Sequence, residues 1–84
     1  MTNTQIQELA DYIIDLEEGL QNSSYDDKAM KKLMPIIYQK IEFLMDEISN
    51  APAKDMDMKL VLISMEIKLR KCLECVKSRA GVKN

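Results

Sequence analysis

Residues 56–69 read MDMKLVLISMEIKL, and this stretch constrains the fold more than any other part of the chain. Wound into a helix, its apolar side chains circle most of the axis. A helix that is apolar nearly all round needs cover on more than one side. The chain has 84 residues, one domain's worth and close to the size at which a single core becomes marginal. The remainder can cover only part of such a helix, so a second molecule is expected against the rest.

The other apolar residues follow helical spacing too. Ile6, Leu9, Ile13, Leu16 and Leu20 fall at steps of 3, 4, 3 and 4, which predicts a first helix from about Thr4 to Leu20. Thr4 and Gln7 suit a capping box at its start. Ala10 and Ile14 widen the stripe on one flank, and Gln21-Asn22-Ser23 is a natural stop. A second helix is expected over residues 24–49, capped by Ser23 or Ser24, with Asp26 and Asp27 in its first turn, where negative charge suits the dipole. Its stripe is Met30, Leu33, Ile37, Ile41, Leu44 and Ile48, and Pro35 predicts a kink or short break in it.

The third helix is expected over residues 53–80, with Met58, Leu62, Met65, Leu69, Cys72 and Val76 along one face. Gly81 is placed to end it, and Val82 to fold back on Val76. Met56 to Leu62 also alternates as a strand does, but Met, Leu and Lys favour the helix and no partner strand is evident. Two glycines and two prolines leave few tools for sheet turns. The expected fold is therefore all-α and a single helical domain: three antiparallel helices, a shorter first one packed on a long helical hairpin.

Helix lengths then point to an interface. The first helix is too short to reach the tip of the hairpin, which is expected to leave Leu44 and Leu62 without its cover, together with Phe43, Met45, Ile48, Met56, Met58, Leu60 and Val61. These last seven are the expected contact residues. Exposing such side chains forgoes roughly 1.5–3 kcal/mol each, against a total stability of about 5 kcal/mol for a small domain. A homodimer is the simplest solution, with a further protein partner for the outer faces.

Charge is divided along the chain. Residues 1–27 hold seven acids and no Lys or Arg, whereas residues 68–84 hold six bases and one acid. Lys68, Arg70, Lys71, Lys77 and Arg79 give the rival reading, a dimeric nucleic-acid-binding regulator. The structural account is that the acidic first helix lies against the basic end of the third. The basic run carries no interleaved aromatics and no nucleic-acid motif.

Chemistry finds little to work with. Cys72 and Cys75 share a helical face, but zinc wants four ligands and the chain has no histidine and no other cysteine. A pair near the end of a helix is also poorly placed for redox work, because the dipole there disfavours the thiolate. Inert cysteines are expected, and no cofactor or metal. Glu8, Asp11, Asp15 and Glu18 read as a solvated helix face. No phosphate loop or nucleophile–base pair is present, so no enzyme is expected. The longest apolar run, Leu60 to Ile63, is far short of the ~20 residues a membrane span needs. The N-terminus lacks the pattern of a signal peptide, which makes a cytoplasmic address the default. The expected role is a small regulator, adaptor, inhibitor or chaperone-like protein that works by binding other protein.

Overall fold

The computed structural model describes residues 2–81 and contains three helices, α1 (Asn3–Gln21), α2 (Asp27–Asn50) and α3 (Met56–Arg79). Each begins at a side-chain cap. Thr2 caps α1, accepting from the Gln5 backbone at 3.1 Å while the Gln5 side chain accepts from the Thr2 amide at 2.9 Å. The box expected at Thr4 and Gln7 thus forms two residues earlier, and Gln7 instead donates to Asp11. Asp26 caps α2, accepting from Ala29 at 2.7 Å, so the helix starts three residues after the expected Ser24. The chain needs those residues to turn: Ser23 adopts a left-handed φ of 54°, and the Ser24 amide donates back to Gly19. Asp55 caps α3, which starts at Met56 rather than 53 because residues 52–55 close their own turn, Asp55 amide to Pro52 carbonyl.

α2 and α3 form the hairpin. Their antiparallel course is fixed by two cross-helix contacts: Lys77 lies 5.5 Å from the Tyr38 ring centre, and Arg70 Nη2 donates to Met45 Sδ. Seven residues forward on one helix are seven back on the other. Leu44, Ile41, Ile37 and Met30 on α2 and Leu62, Met65, Leu69 and Val76 on α3 are all buried in the core that this hairpin builds. Leu44 and Leu62 belong to the hairpin tip expected to lack cover. They are sealed nonetheless: α1 reaches further along the hairpin than expected, with Gln5, Glu8 and Leu9 beside Phe43, and the facing stripes of α2 and α3 exclude water from each other. α2 runs through Pro35 without interruption.

α1 packs on α3, and its backbone makes no close approach to α2 among the described residues. It adds Leu9, Ile13, Leu16 and Leu20 to the core. Ile6 and Ala10 are half-buried against it, whereas Ile14, expected on the flank of this stripe, is exposed. α3 is therefore the shared support, and the body is flattened to extents of 42 × 25 × 15 Å. At the α1–α2 junction the Tyr25 ring lies over Gly19 so closely that a Cβ there would stand 2.4 Å from it. A glycine that weakens the helix is what lets the loop fold down onto it.

α1 and α3 run parallel, so their negative dipole ends lie side by side. α1 has no basic residue in its last turn. Arg79, from the last turn of α3, donates instead to the Leu20 carbonyl at the end of α1. The division of charge along the sequence is thus expressed as a cation shared by two helix ends. No ion pair joins α1 to α3 among the described residues. Arg79→Met is expected to cost about 1 kcal/mol and to raise amide exchange first in the last turn of α1, as read by hydrogen-exchange mass spectrometry. Gly81, with φ of 71°, follows the C-cap Ala80 as expected, while Val82 lies outside the described residues.

A candidate docking face on the third helix

α3 carries two apolar stripes. Leu62, Met65, Leu69, Cys72, Leu73 and Val76 face inward and are buried. Met56, Leu60, Ile63 and Ile67 repeat at steps of 4, 3 and 4 on the far side of the helix. They remain 57, 58, 36 and 48% exposed. At 100° per residue, an offset of two between the stripes is more than half a turn, so no residue can serve both. α1 and α2 occupy the inner side, and nothing among the described residues covers the outer one.

Ser64, Lys68 and Lys71 border this stripe. With Leu60, Ile63 and Ile67 they line a shallow hollow of about 390 Å³. All six residues belong to one helix, so the hollow is a groove between side-chain ridges, shaped for a facing ridge and not for a small molecule.

The residues expected at the hairpin tip are not gathered on one surface. Met56 and Leu60 lie in the outer stripe. Val61 is exposed on another side of α3, 100° from Leu60. Met45 is exposed beside Arg70. Phe43 points elsewhere, into a hollow of about 330 Å³ between α1 and α2 with Gln5, Glu8, Leu9, Gln39 and Lys40. Ile48 and Met58 are half-buried against the core. Ile63 and Ile67 were absent from the expected set, although their signal was in the sequence as a second run of helical spacing set between the core positions.

The basic residues are dispersed as well. Arg70 pairs with Glu66 at 2.8 Å, Lys77 sits over Tyr38, and Arg79 caps α1. Lys68 and Lys71 flank the stripe. Glu8, Asp11, Asp15 and Glu18 are all exposed on α1, and no cluster able to hold a metal occurs among the described residues. No helix of the described residues is long and apolar enough to cross a membrane.

Cys72 is buried and Cys75 half-buried, both as free thiols. Burial raises the Cys72 pKa above its ordinary 9.0, and the negative charge of Glu17 adds to the effect, which keeps this thiol protonated and unreactive at neutral pH. Tyr12 behaves alike. Burial raises its pKa above 10.0, its hydroxyl oxygen has no hydrogen-bond partner, and Lys40 lies 4.4 Å from its ring centre. Both groups are neutral when protonated and hold the proton more tightly when folded. Their contribution to stability is complete below the ordinary values and is lost as pH rises through the folded ones. Thermal stability is therefore expected to fall as pH rises beyond 9, and Cys72→Ala combined with Tyr12→Phe to flatten that fall in melting curves recorded between pH 7 and 11.

Comparison of the chain with protein-family models, with curated proteins and with solved structures finds no match.

Proposed function

We propose that this protein works by binding protein through the outer face of α3, as a small regulator or adaptor without catalytic chemistry of its own. One observation carries the reading: four large apolar side chains stand about half exposed in a single helical row. Single exposed apolar residues are ordinary, whereas a contiguous row of them marks an interaction surface. Covering the exposed half of each is worth about 1 kcal/mol on this side of a contact, to which the apolar surface of the partner adds its own share. The polar residues on either side, Lys68 and Lys71 among them, supply the rim that protein interfaces carry around an apolar centre.

The test is photo-crosslinking in cells that produce the full chain, with a benzophenone amino acid at Ile63 and a control at exposed Asp15 on α1. Crosslinks to protein, whether to the chain itself or to another, are expected at Ile63 and not at Asp15. A probe at Ile63 that captures no protein of any kind overturns the proposal.

A further inference from the structure

We infer that the occupant of this face is a second copy of the same chain, its α3 packed antiparallel on the first about a two-fold axis that passes between Leu60 and Ile63. The inference rests on the outer stripe being a docking surface and adds what docks there.

Spacing is the first argument. The steps 4, 3, 4 from Met56 through Leu60 and Ile63 to Ile67 read the same in both directions. A two-fold exchange therefore superposes the stripe on itself, with Met56 against the partner's Ile67 and Leu60 against the partner's Ile63. This is the repeat of a short antiparallel coiled-coil seam, and an isologous interface requires such self-complementarity.

Charge is the second argument, and it selects the orientation. Asp57, Ser64 and Lys71 follow one edge of the stripe at intervals of seven, while Lys59 and Glu66 follow the other. In the antiparallel pair Asp57 comes alongside the partner's Lys71, and Lys59 alongside the partner's Glu66. Both edges are thus complementary. The two Ser64 side chains, small and uncharged, approach each other near the axis. A parallel pair instead sets Arg70, which continues the stripe at the next step of three, against the same residue of the other copy, and aligns the two helix dipoles in the same sense. Opposed charges in one orientation and like charges in the alternative are how helices specify direction.

The experiment is sedimentation equilibrium of the full chain from the micromolar to the millimolar range, with circular dichroism to follow helicity. The unmodified chain is expected to form a dimer. Leu60→Asp enters the interface twice and is expected to weaken it more than about a hundredfold without loss of helicity, since Leu60 is exposed within its own chain. Leu60→Ser serves as the milder variant should the aspartate perturb folding. Lys71→Glu is expected to weaken the dimer about tenfold, and Asp57→Lys added to Lys71→Glu to restore it. A chain that stays monomeric at millimolar concentration overturns the inference, as does a dimer indifferent to both Leu60 variants or one that the paired charge exchange fails to restore. A monomer whose Ile63 probe captures only a different protein also overturns it, while leaving the docking role of the face in place.

Discussion

Leu62→Ala is expected to lower the free energy of unfolding by about 3 kcal/mol, whereas Leu60→Ala, two residues earlier, lowers it by no more than about 0.5 kcal/mol. Both are leucines on α3 near the hairpin turn, and sequence spacing assigned both to an uncovered tip. Leu62 is 2% exposed and Leu60 58%. Removing the first leaves a cavity in the buried core. Removing the second takes away atoms that already face water. Urea unfolding at a protein concentration below any association separates the two, because a dimer would add its own contribution to the loss at Leu60. Equal costs would mean that the two stripes of α3 are not inner and outer. About 3 kcal/mol is also a large share of the stability of a domain this small, so Leu62→Ala is expected to lower the melting temperature by roughly 12–24 °C.

Pro35→Ala is expected to act in the opposite direction, raising stability by about 2 kcal/mol. Pro35 is the ninth residue of α2, exposed, with unbroken helix on both sides. There its ring removes a backbone hydrogen bond to Lys31 and presses on that carbonyl, a defect worth about 3 kcal/mol in a helix interior. Alanine restores the bond without touching the core, since the neighbours that pack inward are Leu33, Met34 and Ile37. The same unfolding experiment reads the gain. No gain, or a loss, would show that the packing of α2 on α3 uses a bend at Pro35, because straightening the helix then costs contacts at Met30 or Val76.

Much of the inner face was legible in the residues. The stripes through Leu9, Ile13 and Leu16, through Ile37, Ile41 and Leu44, and through Leu62, Leu69 and Val76 are the ones buried, because a period of 3.6 admits a single inward face once a chain segment is helical. Caps were less legible. Thr2, Asp26 and Asp55 each stand beside other acceptable caps, and local geometry chose among them: the left-handed Ser23 and the turn at Pro52 used up residues that propensity alone would give to helix.

The outer face was legible only in part. The excess of apolar residues in the third helix was plain, and it implied cover from outside. Which side chains stay uncovered was not, because that depends on where α1 and α2 sit around α3. Phe43, Met45 and Val61 are as apolar as Ile63 and Ile67, yet rotation about the helix axes sends them to separate surfaces, and no periodicity records that rotation.

By itself, then, the sequence determined three helices, the inward face of each, and a third helix with more apolar surface than its own chain can bury. Those properties are local, set by backbone hydrogen bonding and residue spacing. Only the tertiary structure decided that α3 is the shared support, that Arg79 serves the end of α1, and that Met56, Leu60, Ile63 and Ile67 form one open row. These depend on how helices are placed against one another in space, which is fixed by packing across the chain and by no single segment of it.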